Sequence, residues 1–131
     1  MFSLEMEVLR EFQTQLILFF DELIDQFPEE GDLVIARLFI SNQVPILDLM
    51  NDFNHRINKD DQQFRRMIAA RNEGFFLNNV LFAQHKATLS HFKKLWRCGR
   101  LDDADKNTIW KWVDTFIFLG DKYTRAMAAQ K

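Results

Sequence analysis

Large apolar residues recur every three or four positions in the first 27 residues, and this spacing constrains the fold more than any other feature. The residues are Val8, Leu9, Phe12, Leu16, Phe19, Phe20, Leu23 and Phe27. A period of about 3.6 residues places them on one face of an α-helix. Ser3 can cap this helix, and Pro28 ends it because proline lacks an N–H group and disfavours helical geometry in the preceding residue. The spacing therefore predicts a long amphipathic first helix.

The same spacing predicts two further helices after the first. Asp32 can cap a helix over residues 33–41, since its side chain can accept a hydrogen bond from a free N–H group of the first turn. Pro45 suits the first turn of a third helix, where its missing N–H would have no partner within the helix. Two helices joined by a short turn are typical of an αα-hairpin, which we expect around residues 33–57.

Two more helices are predicted in the C-terminal third of the chain. The first covers residues 84–98. Gly99 follows it at the position that suits a left-handed C-terminal cap. The second begins after Asp102 or Asp103 and forms a long C-terminal helix. Residues 58–82, which lie between the hairpin and these helices, fit either a helix or a buried loop.

Composition favours a globular, all-helical chain. The chain has 131 residues, of which 47% are apolar and 27% charged, and it contains four Gly and two Pro. These values are ordinary for a globular protein, and they include too few turn residues for a loop-rich β-sandwich. We therefore expect an all-α fold, in which five to six helices form a single compact, bundle-like domain over residues 1–131.

Neither the N-terminal residues nor any apolar run resembles a targeting or membrane segment. The longest apolar run, Leu16–Phe20, is far shorter than the ~20 residues that a membrane span needs. Glu5 and Glu7 stand where a signal peptide carries positive charge. We therefore expect a chain that is neither secreted nor transmembrane and that works in a reducing cytoplasm.

No motif for catalysis or cofactor binding occurs in the sequence. The glycine-rich phosphate-binding and dinucleotide-binding patterns and the nucleophile elbow are missing. No two of His55, His85 and His91 have the i, i+4 spacing of a helical metal site. Cys98 is the single cysteine, which excludes an internal disulfide and a cysteine-based zinc cluster. We therefore expect no enzyme activity, no cofactor and no bound metal.

Charge is distributed unevenly along the chain. Residues 1–60 carry 12 acidic and 4 basic side chains, whereas residues 61–100 carry 2 acidic and 8 basic ones. We expect these segments to attract each other, within one chain or between copies in a homo-oligomer. The pI of about 5.9 argues against nucleic acid as the partner. The basic segment nevertheless presents a candidate basic face: Arg65, Arg66, Lys93, Lys94, Arg97 and Arg100.

The last helix carries apolar residues outside its main apolar stripe. Trp110, Ile117 and Phe118 share a side with charged residues, so we predict that they form a partner interface. The alternative is a central helix that packs on two sides. Gly120 lies inside the main stripe, although glycine costs about 1 kcal/mol relative to alanine within a helix. We therefore expect another helix to approach closely at Gly120.

Three segments of the C-terminal half carry a resemblance to known proteins. They are Phe92–Trp96, Leu101–Asn107 and Ile109–Phe116, and Phe20–Pro28 is similar in character. These segments resemble small, all-helical proteins of large, nucleocytoplasmic-type DNA viruses. The resemblance implies a chain in the virion or host cytoplasm that acts by protein–protein contact.

The preferred role under this resemblance is a structural or assembly component of the particle, such as a minor capsid component. Its partners would be viral structural proteins or a second copy of the chain. The alternative is a regulatory binder of a host or viral factor. Contact with nucleic acid through the basic middle segment is an option for such a binder.

Overall fold

Six α-helices and one π-helical turn make up the residues that the structure describes. The structure is a computed structural model, and it describes residues 3–78 and 86–129, with side chains for 3–78 and 92–129. These ranges contain no strand, so the prediction of an all-α fold with a long C-terminal helix is confirmed. The elements are α1 (Leu4–Gln26), α2 (Gly31–Leu38), the π-helical turn (Phe39–Gln43), α3 (Ile46–Ala69), α4 (Glu73–Asn78), α5 (Lys86–Arg97) and α6 (Asp103–Ala128).

The chain divides into two compact units. The terminal unit consists of Met1–Asn54 and Phe116–Lys131, and the middle unit consists of His55–Thr115. The terminal unit carries 12 acidic and 5 basic side chains, a net charge of −7, whereas the middle unit carries 7 acidic and 12 basic ones, a net charge of +5. The single domain over residues 1–131 stays a prediction, as does the attraction between the acidic and basic segments.

The helix α1 forms the apolar face that its spacing predicts. Ser3 caps the helix, because its Oγ accepts a hydrogen bond from the Met6 N–H at 3.4 Å. At the other end the Phe27 N–H donates to the Leu23 carbonyl at 2.9 Å, immediately before Pro28. The amphipathic first helix is therefore confirmed. Its buried side chains are Val8, Phe12, Leu16, Phe19, Phe20 and Leu23.

Residues 33–57 form the two helices and the turn that the sequence predicts, although α2 begins earlier. Glu30 precedes the first helical residue, so Asp32 lies inside the first turn and is not the cap. An acidic side chain in that turn still stabilises the helix, because the N-terminal end carries a partial positive charge. The connection Phe39–Gln43 is π-helical, and α3 begins directly after Pro45.

An aromatic core holds the terminal unit together. The ring centroid of Phe12 on α1 lies 5.5 Å from that of Phe53 on α3 and 6.1 Å from that of Phe116 on α6. Phe19, also on α1, lies 5.6 Å from Phe116. All four rings are buried. Tilted or edge-on ring pairs at such distances contribute about 0.5–1.5 kcal/mol each beyond the burial of their apolar area.

Gly120 allows the close approach within this core that the sequence predicts. A Cβ atom placed at Gly120 would lie 2.5 Å from Oδ1 of Asn54 and 3.2 Å from the ring of Phe53. Both distances are shorter than ordinary van der Waals contact. Any side chain at this position of α6 would therefore push against α3, and the prediction for Gly120 is confirmed.

The helix α3 contains a break at residues 59–62. The last three of these residues adopt left-handed φ angles of 52°, 56° and 61°. This geometry costs an L-residue about 1–2 kcal/mol, and Asp tolerates it better than most side chains. Apart from this break and the turn before α4, residues 58–78 are helical rather than a buried loop. Residues 79–82 of the same predicted segment lie outside the described residues.

Side-chain caps and one left-handed glycine define helix ends in the middle unit. Asn72 caps α4, since its Oδ1 accepts a hydrogen bond from the Phe75 N–H at 2.9 Å. Gly99 follows α5 with a φ of +85°, the left-handed geometry that its position predicts. Asp102 and Asp105 form a reciprocal capping box at the start of α6, in which each carboxylate accepts from the other residue's N–H, at 2.8 and 3.2 Å. Asp102 is therefore the cap of the last helix.

Replacing Gly120 by alanine is expected to destabilise the protein by about 1 kcal/mol. Alanine recovers about 1 kcal/mol of helix propensity, but overpacking a core costs about 1–3 kcal/mol. The ring of Phe53 has little room to move, because it is fully buried against Phe12. Urea unfolding followed by far-UV circular dichroism measures the difference.

Gly31→Ala is the matched control, because a Cβ atom at Gly31 meets no atom within 4 Å. It should leave the free energy of unfolding unchanged or raise it by up to about 1 kcal/mol. A Gly120→Ala variant as stable as Gly31→Ala would contradict the close approach of α3 and α6 in the terminal unit.

Candidate interaction surfaces

Trp110 is buried, so the prediction that it belongs to an exposed interface is wrong. Its exposed fraction is 6%, and its ring centroid lies 4.9 Å from that of Phe76 and 5.6 Å from that of Trp96. Phe92 completes this aromatic cluster at 5.9 Å from Phe76. The neighbouring Ile109 is buried as well, so this part of α6 buries more than one narrow stripe. Trp110 is therefore a core residue of the middle unit.

Two cationic side chains cover the aromatic cluster. The guanidinium carbon of Arg71 lies 5.5 Å from the ring centroid of Trp110. The Nζ atom of Lys106 lies 5.4 Å from the ring centroid of Trp96. A cation above an aromatic face contributes about 0.5–1 kcal/mol at an exposed site. These contacts place two charged groups over the aromatic cluster, where water can still reach them.

Carboxylates hold both cations in place. Arg71 donates two hydrogen bonds to Asp114, at 3.0 and 2.7 Å, and these bonds raise the pKa of Arg71 against the opposing effect of burial. Oε1 of Glu73 accepts a hydrogen bond from Nε1 of Trp96 at 3.1 Å and lies 3.9 Å from Nζ of Lys106. These groups form a paired, stabilising arrangement, not a nucleophile with its base.

Ile117 and Phe118 lie on the part of α6 that belongs to the terminal unit. Phe118 is 56% exposed, the largest fraction among the exposed large apolar side chains described, and Ile117 is half-buried. Trp110 belongs to the middle unit, so the three predicted residues do not form one surface within a unit. Ile117 and Phe118 stay candidate interface residues, but one exposed ring is a small surface.

The six residues of the predicted basic face belong to the middle unit and differ in their contacts. Arg65 donates to Oδ1 of Asn58 at 2.9 and 3.2 Å, and Lys93 donates to Oδ1 of Asn78 at 2.5 Å. The six residues come from α3, α5 and the turn after α5. The middle unit therefore presents positive charge on three elements. The four exposed members are Arg66, Lys94, Arg97 and Arg100.

The helix α2 and the turn after it expose a group of large apolar side chains. Val34 is 41% exposed, Ile35 54%, Leu38 48% and Phe39 53%. Their spacing of one and four residues places them on one side of the helix. We call these four residues the α2 face. It holds four of the ten exposed large apolar side chains described, and all ten belong to the terminal unit.

Sequence reasoning missed the α2 face, although the sequence contains a signal for it. Residues 33–35 and 38–40 are all apolar, so a helix through them is apolar on every side. In the structure only Leu33 and Ile40 of these six residues are buried. A short helix with apolar residues on every side is either completely buried or exposes an apolar patch. In this protein it exposes a patch.

A depression in the middle unit lies beside the left-handed turn of α3. It combines two cationic side chains, one carboxylate and two phenyl rings. None of its side chains is a hydroxyl, thiol or imidazole. Its lining residues are Arg56, Lys59, Asp60, Gln63, Phe64 and Phe75.

Trp110→Ala is expected to lower the free energy of unfolding by about 3–5 kcal/mol, the usual cost of truncating a large aromatic residue in a core. Phe116→Ala should cost a similar amount, because Phe116 is 1% exposed. Phe118→Ala is the surface control and should cost less than about 1 kcal/mol. Urea unfolding followed by circular dichroism compares the three variants. If Trp110→Ala were as mild as Phe118→Ala, Trp110 would return to the candidate interface.

No protein-family model, curated protein or solved structure matches the chain. In the described part of the chain, no three His, Cys, Asp or Glu side chains are placed to share a metal ion. No single helix within 3–78 and 86–129 is both long and apolar enough to cross a membrane. In these ranges one pair of helical segments, Gly31–Gln43 and Ile46–Ala69, is long and apolar enough when the two are taken together, and the pair is sharply bent. The candidate surfaces therefore rest on the geometry of the chain itself.

Proposed function

We propose that this chain is a non-enzymatic domain that acts by protein–protein contact, with the α2 face as its main contact surface. The observation that supports the proposal most is the exposure of four large apolar side chains on one side of a short helix and its turn. Single exposed apolar residues are ordinary on protein surfaces. A contiguous group of them is typical of an interaction site.

Burial of the α2 face can supply part of a binding energy. Full burial of a Val, Ile, Leu or Phe side chain gains about 1.5–3 kcal/mol, so completing the burial of a half-exposed one gains about 1 kcal/mol. The four side chains together therefore supply about 4 kcal/mol. Association costs at least about 4 kcal/mol in lost freedom. Polar and charged contacts around the face must then provide the net affinity.

Within this proposal the preferred role is a structural or assembly component of a large DNA virus particle. The support for it is the resemblance of the segments Phe92–Trp96 and Ile109–Phe116 to small proteins of such viruses. The partners would be viral structural proteins or a second copy of the chain. The place of action would be the virion or the host cytoplasm.

A second candidate function is regulatory binding of a host or viral factor with a contact to nucleic acid. Exposed positive charge on the middle unit favours it, because this unit has a net charge of +5 and four exposed bases of the predicted basic face. Lysine and arginine contacts to phosphates would make such binding strongly dependent on salt. The overall net charge of −2 keeps this function second.

Quantitative mass spectrometry of purified particles of the encoding virus tests the structural role. We expect the chain in a fixed, stoichiometric ratio to the major capsid protein, because a structural component occupies defined positions. A washed particle preparation in high salt is the control for surface carry-over, since exposed charge contacts are screened there. Loss of the chain from washed particles would contradict the structural role and favour the regulatory one.

A further inference from the structure

We infer that the α2 face binds a basic amphipathic helix of another protein. This inference rests on the proposed function and adds the chemistry of the partner that the α2 face binds. The surface is a ridge on a single helix, and the described residues contain no strand whose edge a peptide could extend. An amphipathic helix with apolar residues at i, i+3, i+4 and i+7 presents an apolar stripe that can pack along such a ridge.

The α2 face has the length and the open end that helix packing needs. Val34 and Leu38 are four residues apart, as are Ile35 and Phe39, so each pair lies one above the other on the helix. From Gly31 to Phe39 the chain rises about 12 Å, or two helical turns. Gly31 stands one turn before Val34, and a Cβ atom placed there meets nothing within 4 Å. A partner helix can therefore approach closely at this end.

The charge around the α2 face selects a basic partner. The terminal unit has a net charge of −7. Asp32 is exposed in the first turn of α2, three residues before Ile35 and so on the same side of the helix. Arg37, the single base of α2, already donates a hydrogen bond to Asp21 on α1. Lysine or arginine residues beside the partner's apolar stripe would therefore meet complementary charge.

A second copy of the chain matches this surface less well. Two terminal units that met through their α2 faces would bring together net charges of −7 each. The middle unit is basic, but none of the ten exposed large apolar side chains described belongs to it. An anionic lipid surface is repelled by the charge of the terminal unit. A basic helix of a different protein satisfies both the apolar and the charge requirement.

Fluorescence anisotropy with three labelled 18-residue peptides tests the inference on the full chain. The first peptide has leucine at helical i, i+3, i+4 and i+7 positions and lysine elsewhere. The second keeps the leucines and replaces every lysine by glutamate. The third keeps the composition of the first but scatters the leucines around the helix. We expect the first to bind at least tenfold more tightly than either of the others.

Matched variants locate the binding site. Ile35→Ser combined with Phe39→Ser should weaken binding of the first peptide at least tenfold, whereas Phe118→Ser, an equally exposed residue of the same unit, should change it less than twofold. Ile35→Lys should weaken binding more than Ile35→Glu, because only the lysine repels the peptide. This pair of single substitutions keeps the test valid if the double variant unfolds.

Each contrary result has a separate meaning. Equal binding of the lysine and glutamate peptides would overturn the basic partner, and equal losses in Ile35→Ser/Phe39→Ser and Phe118→Ser would overturn the location. An Ile35-dependent dimer in sedimentation, or Ile35-dependent binding to phosphatidylglycerol vesicles, would replace the partner by a second copy or a lipid surface. Failure to bind any peptide would overturn the inference alone, since the particle measurement tests the structural role independently.

Discussion

The close packing of Phe53 against Gly120 is the contact on which the terminal unit depends. The helix α6 carries no side chain at Gly120. The Phe53 ring can therefore lie 3.2 Å from the position that a Cβ atom of residue 120 would occupy. Phe53 also packs against Phe12, which in turn packs against Phe116. The helices α1, α3 and α6 each contribute a buried aromatic side chain to this core, whereas α2 buries only part of its apolar surface and leaves the α2 face open.

The two units use their apolar residues in different ways. The middle unit buries Trp96 and Trp110, two of its three tryptophans, and covers them with Lys106 and Arg71, whose charges are paired with carboxylates. The terminal unit holds all ten exposed large apolar side chains described, together with a net charge of −7. An apolar patch on a unit with a net negative charge favours a partner of opposite charge.

Local sequence features predict the helices and their caps. Which side chains are buried and which form a surface depends on how the helices pack against each other. The spacing in α1, the Asp102 cap, Gly99 and Gly120 follow from periodicity, free N–H groups and steric space, all of which the sequence contains. Trp110 was misplaced because helical periodicity assumes one buried stripe, whereas Phe76 packs against Trp110 beside that stripe. The α2 face was missed because a helix with apolar residues on every side does not indicate in its sequence which side another helix covers.

The most direct test of the account compares Ile35→Ala with Leu33→Ala, two neighbouring residues on opposite sides of α2. Leu33 is 7% exposed and Ile35 is 54% exposed. The account predicts that Leu33→Ala lowers the free energy of unfolding by about 2–5 kcal/mol. Ile35→Ala should lower it by less than about 1 kcal/mol, because alanine also favours the helix. Equal, large losses in urea unfolding would make Ile35 a core residue and contradict an open α2 face.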